Sequence, residues 1–268
     1  NPKLPRQRLR MVQNRYRLGS KADSIDRRQE FYPRCHHTGF VCEGPWNRLR
    51  HKSHITGNPS ILSGDIKTYI NQIESIKTLE EWVAVSGELQ KIGVGSVLGL
   101  YVDADDRNSK MNAVKWGQSG LSLGEKSYYS GTDERMKMIR SEFVAHIDKT
   151  IAFTGREFKG KAGETLLKFE TGLAAIQQSN VELRDPIKTY NKISSAELKS
   201  LSKNIDWNVF AAKQGVVSDT IIVQNKKYFT SLNVLLSKTD LEVLKLYTYY
   251  KLIGSFSTYL PKNIKSLI

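Results

Sequence analysis

The sequence lacks any run that approaches about 18 apolar residues, has only seven prolines, and holds a single histidine after residue 60. Because a membrane-spanning helix needs about 20 apolar residues, no segment of this chain is expected to cross a membrane. The low proline content, with frequent Ile, Leu and Lys, favours a mostly helical body. His146 has no second histidine four residues later, so we expect a surface or partly buried structural residue and not a metal ligand.

Positive charge is concentrated at the start of the chain. Of the formal net charge of +14, residues 1–60 carry +9, from ten Arg and three Lys against two Asp and two Glu. The composition changes abruptly near Ile61, and such a shift marks a domain boundary. We therefore expect a basic, poorly specified or disordered head over residues 1–60 and a helical lobe over residues 61–268. Because the chain starts at Asn1 without a recognisable signal peptide, we also expect a piece of a longer protein.

The head admits several interpretations. Its arginine-rich start could bind the phosphates of nucleic acid, although no base-reading motif accompanies it, which argues against this partner. Cys35, Cys42, His51 and His54 could ligate zinc, but their spacings differ from those of the usual zinc knuckles. The head also lacks a periodicity long enough to bury one face, which is typical of disorder. Out-of-frame translation of an interrupted gene would give the same abrupt change in composition.

Helical periodicity and capping residues predict helices over most of the remaining chain. Thr78 and Glu81 form a capping-box signature, Ser63 and Thr132 are placed to cap two other helices, and Ser194 with Glu197 caps a short one. Four helices are predicted with both ends: Thr132 to about Phe153, Glu164–Gln178, Tyr228–Leu236 and Leu241–Leu260. Four more are predicted by their starts alone, near Ser63, near Thr78, near Ser194 and at Trp207.

A β-hairpin is predicted inside this helical body. The β-rich segment Val94–Val102 is expected to pair with Asn112–Trp116 across a polar turn from Asp103 to Lys110. The turn is rich in aspartate but lacks the glycine and the terminal glutamate of a calcium-binding EF-hand loop, so a solvated turn is favoured. A further brief strand is predicted over Thr220–Val223.

The stretch from Asn112 to Tyr129 organises the lobe. It is expected to run from the second hairpin strand into an irregular loop, where Gly117, Gly120 and Gly124 supply freedom in φ. Leu121 and Leu123 alternate with Ser122, which favours an extended segment with one buried side. The rings of Tyr128 and Tyr129 would cover a core while their hydroxyls stay hydrated or hydrogen-bonded.

Three motifs in this order resemble the neprilysin family of zinc metallopeptidases. The first follows the family pattern N-x-V-x-x-x-Q-x-G-L-x-L-P-x-x-x-Y-Y, with Gly124 at the proline position, the second is F-E-x-x-L-A, and the third is R-D-P-x-K-x-Y-N. The matching residues that we treat as the structural family motif are Asn112, Gln118, Gly120, Leu121, Tyr128, Tyr129, Glu170, Arg184, Asp185, Pro186, Tyr190 and Asn191. The segments at Ile205–Trp207 and Tyr228–Asn233 also resemble the family, which extends the likeness over residues 61–260.

The resemblance implies a mainly α multi-helix lobe with a small β-hairpin, similar to the non-catalytic lobe of neprilysin-like peptidases. In that family two lobes enclose a cavity, and H-E-x-x-H on one helix of the C-terminal half binds zinc and supplies the general base. No His-Glu pair occurs in this chain. We therefore expect no catalytic residue and no metal ligand here, zinc only in the full-length enzyme, and a missing catalytic lobe as partner. The motif residues would be scaffold, with Arg184 paired to a carboxylate such as Glu170.

The resemblance also implies peptide substrates for the full-length enzyme and an extracytoplasmic location, either secreted, periplasmic or membrane-anchored. On this interpretation the chain is an N-terminal fragment of a zinc metalloendopeptidase that is inactive alone. The alternative is a stand-alone binding module whose basic head engages nucleic acid or an acidic surface, and steep salt dependence would distinguish it. A remnant of an interrupted gene, without function of its own, is the third possibility.

Overall fold

Helices make up most of residues 64–257, the part of the chain that this computed structural model describes. The helices are α1 Gly64–Glu74, α2 Leu79–Gln90, α3 Ser127–Ser130, α4 Glu134–Phe153, α5 Ala162–Ile176, α6 Ser195–Leu201, α7 Trp207–Lys213, α8 Lys226–Lys238 and α9 Leu241–Phe256. The strands are β1 Leu98–Asp105, β2 Asn108–Gln118, β3 Asn191–Ser194 and β4 Thr220–Val223, and a 3₁₀ turn covers Glu182–Arg184. The prediction of a mainly α lobe is confirmed.

Side-chain caps fix where several helices begin. The hydroxyl of Thr78 accepts a hydrogen bond from the amide of Glu81 at 3.1 Å, and Ser194 caps α6 in the same way, as predicted. The long helix α4 is capped by Asp133, one residue after the predicted Thr132, because the aspartate carboxylate accepts from the N–H of the third helical residue. Gly155, with φ of 70°, follows the end of that helix.

The strands form one four-stranded sheet in the order β1-β2-β4-β3. The hairpin prediction is confirmed in kind, but β1 lies further along the chain than the predicted Val94–Val102, β2 is longer than expected, and the turn between them is much shorter than Asp103–Lys110. Strand β4 pairs in parallel with β2 and antiparallel with β3. The prediction of an isolated hairpin was therefore incomplete, since β3 and β4 join it through pairings between distant parts of the chain.

The core lies between this sheet and the helices, with α9 at its centre. Ten of the sixteen residues of α9 are buried, so this helix has almost no solvent face and packs against neighbours all round. The indole nitrogen of Trp82 in α2 donates to the carbonyl of Leu244 at 3.2 Å and to the hydroxyl of Thr248 at 2.8 Å. On the sheet side, the ring of Trp116 lies 5.9 Å from that of Phe210 and 6.1 Å from that of Phe229.

Helices α4 and α5 cross at a glycine. A Cβ atom on Gly163 would lie 2.4 Å from the carbonyl oxygen of Val144, far inside contact distance, so only glycine permits this approach. The amide of Gly163 also donates to Asp148 at 2.8 Å, which anchors the first turn of α5 to α4. The sequence indicated both helices but gave no sign of this close crossing.

Several predictions concern residues that lie outside the described range. The Ser63 cap and the candidate zinc ligands Cys35, Cys42, His51 and His54 belong to them. Within residues 64–257, no helix is both long and apolar enough to cross a membrane.

Candidate functional site

The glutamate of the second motif, Glu170 on α5, is completely buried and collects the first motif around it. Its carboxylate accepts from the amide of Ser122 at 2.9 Å and from the hydroxyl of Ser122 at 2.6 Å. The hydroxyl of Tyr129 donates to the same carboxylate and accepts from the amide of Leu123 at 3.0 Å. A buried carboxylate needs such hydrogen-bond donors. The side chain of Glu170 thus holds the loop between β2 and α3 against α5.

The cation beside Glu170 comes from α9. The ammonium of Lys251 lies 3.5 Å from Oε1 of Glu170 and donates to the hydroxyl of Ser122 at 2.6 Å. Burial lowers the pKa of Lys251, and the charge of Glu170 opposes that change. Burial, together with the nearby Glu170 carboxylate, raises the pKa of Tyr129 well above its usual range, so this hydroxyl stays protonated and can only donate to the carboxylate.

A tyrosine of α9 contacts the same loop. The hydroxyl of Tyr247 donates to the carbonyl of Gly120 at 2.8 Å, and the Lys251 ammonium lies 5.2 Å from the centre of its ring. Gly120 has φ of 98°, and a Cβ there would lie 2.5 Å from the Tyr247 hydroxyl. The glycine is therefore required both by its backbone conformation and by the close tyrosine.

Glutamines join the first motif to the segment that precedes the third. The side-chain amide of Gln118 donates to the carbonyl of Gln178 at 2.7 Å and accepts from its amide at 2.8 Å, which imitates a pair of strand hydrogen bonds. Beside it, the side chain of Gln177 donates to the carbonyl of Ser119 at 2.7 Å, and Lys126 donates to the carbonyl of Gln177 at 2.7 Å. These contacts tie the loop after β2 to the segment after α5.

The third motif is shaped by its own polar side chains and attached to the sheet. The carboxylate of Asp185 accepts from the amides of Ile187 and Lys188, at 3.0 and 3.2 Å, which closes a turn around Pro186. The side-chain amide of Asn191 donates to the carbonyl of Lys188 and, across the sheet, to that of Val223, both at 2.9 Å.

The hairpin end and the third motif meet at a buried aspartate. Asp105 is 2% exposed and accepts from the hydroxyl of Tyr190 at 2.8 Å and from the ammonium of Lys192 at 2.8 Å. The hydrogen bond from Lys192 is the main reason that the pKa of Asp105 falls to about 2. The guanidinium of Arg107 lies 4.2 Å from the centre of the Tyr190 ring. The predicted solvated turn is therefore wrong for Asp105, whose carboxylate holds the hairpin against the third motif.

The expected ion pair between Arg184 and Glu170 is absent within the described residues. Arg184 lies exposed in the 3₁₀ turn, and the cation at Glu170 is Lys251. The sequence reasoning chose an arginine from a motif and overlooked a lysine on α9. Helix α9 holds two lysines, Lys245 and Lys251, and the sequence alone does not indicate which of them reaches Glu170.

Other expectations for the first motif need correction. Residues 119–121 have no regular secondary structure and residues 122–126 form turns and bends, so Leu121 and Leu123 do not belong to a strand, and Ser122 points inward to Glu170. Gly117 lies within β2 and has no positive φ; a Cβ there would lie 2.4 Å from Oε1 of Gln224, at the end of a flexible side chain that could move aside. Asn112 is exposed on the hairpin.

Tyr128 lies at the rim of this loop. Its side chain is half-buried in α3, and its carbonyl accepts from the guanidinium of Arg140 at 2.8 Å.

The Glu170 carboxylate, the hydroxyls of Ser122 and Tyr129 and the Ser122 amide hydrogen-bond to one another. The cluster therefore positions the loop and offers no free nucleophile. Nor does the described part of the chain hold a metal centre, because none of its His, Cys, Asp and Glu side chains form a group of three or more that could bind one. A zinc ion therefore does not fit the residues between 64 and 257.

A family model of the N-terminal region of peptidase family M13 matches residues 62–267. The chain belongs to peptidase family M13. This confirms the neprilysin-like resemblance that the motifs indicated.

Relatives of the M13 chain agree with this assignment. Human endothelin-converting enzyme 1 is 28% identical over 173 residues, which cover 62% of this chain and 22% of the relative. The crystal structure of the zinc metalloprotease ZMP1 of Mycobacterium tuberculosis superposes with a TM-score of 0.70 at 22% identity, covering 83% of this chain and 38% of that one. PepO from Lactobacillus rhamnosis has a TM-score of 0.59 at 16% identity, covering 76% and 33%. The M13 chain thus spans about a fifth of the curated relatives' length, and these solved structures share its fold.

Proposed function

We propose that residues 61–268 form the non-catalytic lobe of an M13 zinc endopeptidase, with residues 1–60 as a separate head. The lobe encloses one side of the cavity in which peptides are cleaved and limits which peptides reach the zinc. The zinc ligands and the general base belong to a second, catalytic lobe. By family resemblance the complete enzyme acts outside the cytoplasm on peptide substrates.

The observation that carries this proposal is the internal bracing of the motif residues. Glu170 and Lys251 hold the loop after β2 from within, and Gln118 holds the segment that precedes the third motif. Their polar groups bond to one another, as in a scaffold, and do not converge on an open position where a substrate atom could react. A wall that selects substrates by size must resist deformation, and buried, mutually satisfied polar networks supply such rigidity.

The alternative function, a stand-alone binding module with a basic head, gains no support from the comparisons. The residues that it depends on lie outside the described range. We therefore retain the peptidase lobe as the function that the described residues support best.

The first test uses the purified 268-residue chain. Incubated with zinc and an internally quenched fluorescent peptide, it should hydrolyse nothing, and the dialysed chain should retain no stoichiometric zinc. The same incubation with M. tuberculosis ZMP1 in place of the chain is the control for the peptide and the zinc. Hydrolysis that purifies with the chain and is lost on adding a chelator would place a catalytic centre in this chain and refute the proposal.

A further inference from the structure

Strand β1 lies at the edge of the sheet and has a strand partner, β2, on one side only within the described residues. Edge strands present unpaired N–H and C=O groups, and proteins usually protect them with proline, lysine or a covering element. The sequence of β1, L-G-L-Y-V-D-A-D, contains neither proline nor lysine, and the irregularity in its pairing with β2 lies at its end, between Ala104 and Asp105. Its free edge is therefore a place where another extended chain could pair.

The register shows which residues of β1 direct their backbone groups outward. The carbonyl of Val97 accepts from the amide of Ser119, so odd-numbered residues near this point face β2. The carbonyl of Trp116 in turn accepts from the amide of Gln224, so even-numbered residues of β2 face away from β1. Because antiparallel pairs alternate along the ladder, the outward-facing residues of β1 are Leu98, Leu100, Val102 and Ala104.

Both ends of this outward row are already occupied. The carbonyl of Leu98 accepts from the side-chain amide of Gln90 at 3.2 Å, and the amide of Ala104 donates to the carboxylate of Asp103 at 2.7 Å. Between them, the N–H and C=O groups of Leu100 and Val102 have no hydrogen-bond partner within the described part of the chain. The open window is therefore about five residues long, from Gly99 to Asp103.

Side chains at the centre of this window are exposed. Val102 is 49% exposed and Tyr101 is 39% exposed, and the two side chains lie on opposite faces of the strand. An extended peptide beside β1 would place alternate residues against each of them. The window thus offers backbone hydrogen bonds together with an apolar contact on each face, which is the combination that strand addition uses.

We propose that the edge of β1 from Gly99 to Asp103 binds a peptide in extended conformation by strand addition. The peptide exchanges hydrogen bonds with the backbone of Leu100 and Val102 and takes its specificity from Val102 and Tyr101. The inference rests on the proposed function for its choice of a peptide as partner. Its test measures binding alone, so that its failure would leave the peptidase lobe intact.

The binding test uses the whole 268-residue chain and a fluorescein-labelled, terminally blocked peptide of seven alternating Thr and Val residues. The first methylated version of this peptide carries N-methyl groups on two amides that point to the same edge of the extended peptide. The second version, its matched control, carries them on two adjacent residues, whose amides point to opposite edges. The first peptide keeps one intact edge and should bind like the parent. The second should bind at least about tenfold more weakly, because each lost hydrogen bond contributes about 1 kcal/mol and the methyl groups also clash.

A protein variant supplies the reciprocal test. Val102→Pro removes one outward N–H without touching the ladder to β2, and it should abolish binding, whereas Val102→Thr should retain it. Circular dichroism checks that both variants fold. If the proline variant does not fold, the methylated peptides still test strand addition on the wild-type chain.

Three outcomes would overturn the proposal. The first is equal binding of the two methylated peptides, and the second is no binding of the parent peptide up to about 1 mM. The third is pairing of the β1 edge with a second copy of the chain, without peptide binding; it would be seen in sedimentation as a wild-type dimer that Val102→Pro converts to a monomer.

Discussion

Replacing Glu170 by glutamine should destabilise the lobe severely although it hardly changes the size of the side chain. The substitution removes the charge that faces Lys251 at 3.5 Å and turns one acceptor oxygen into a donor. Either the Ser122 hydroxyl then loses its acceptor, or the Ser122 amide and the Tyr129 hydroxyl both do. Removing one partner of a buried ion pair costs about 3–5 kcal/mol. Because 14% of the Lys251 side chain remains exposed to solvent, we expect the free energy of unfolding to fall by about 3 kcal/mol, the lower end of this range.

The assay is urea unfolding of the 268-residue chain, followed by tryptophan fluorescence and circular dichroism. Lys251→Met, tested alone and combined with Glu170→Gln, completes a double-mutant cycle, in which the double variant should be more stable than the sum of the single effects by about 1–3 kcal/mol. Glu134→Gln is the control, since its ion pair with Lys137 is exposed and contributes little. If Glu170→Gln were no more destabilising than this control, or if the cycle showed no coupling, the account of the cluster would be refuted.

Four further predictions concern single positions. Gln118→Ala should cost about 1–3 kcal/mol, since both bonds to the backbone of Gln178 are lost, and hydrogen exchange should accelerate in residues 118–126 first. Gly163→Ala should cost about 1–3 kcal/mol or more because of the clash at the α4–α5 crossing. By contrast, Gly254→Ala, on α9 with nothing within 4 Å, should stabilise by up to about 1 kcal/mol in urea unfolding. Asp105 has a folded pKa of about 2, below its unfolded value of about 3.9, so its stabilising effect is complete above about pH 4 and is lost as the pH falls towards 2. The difference in unfolding midpoint between wild type and Asp105→Asn should shrink across that window, and a constant difference would contradict the assignment.

Local sequence signals predicted the helices well. Caps such as Thr78 and Ser194 and the apolar stripe of α4 act over a few residues, so they are legible without the rest of the chain. Element ends were less accurate, as the shift from Thr132 to Asp133 shows, since neighbouring polar residues compete for the same capping position.

Contacts between distant segments could not be predicted in the same way. Strand β3 is four residues long and gains its partners only when β4 lies beside β2. The pairing of Glu170 with Lys251 joins residues from two separate helices, and no periodicity in either helix specifies it. Asp105 gave the opposite error, because an aspartate in a polar stretch is usually exposed, whereas Lys192 and Tyr190 here hold it buried.

The motif resemblance went further than the residue patterns. It placed Gln118, Tyr129 and Glu170 in one family scaffold before the structure brought Tyr129 and Glu170 into contact, and the M13 assignment confirms the family. It did not reveal which residues hold them, since Ser122, Gln177 and Lys251 lie outside the quoted motif positions.

The proposal that this lobe limits access to a catalytic centre elsewhere is tested most directly in an enzyme that contains both the lobe and that centre. Cleavage rates would be measured for a series of peptides of increasing length, with wild-type enzyme and with Gln118→Ala, whose loop after β2 is less firmly held. The account predicts unchanged rates for the shortest peptides and a higher length limit in the variant. An identical length limit in both enzymes, or an equal loss of activity at every length, would contradict it.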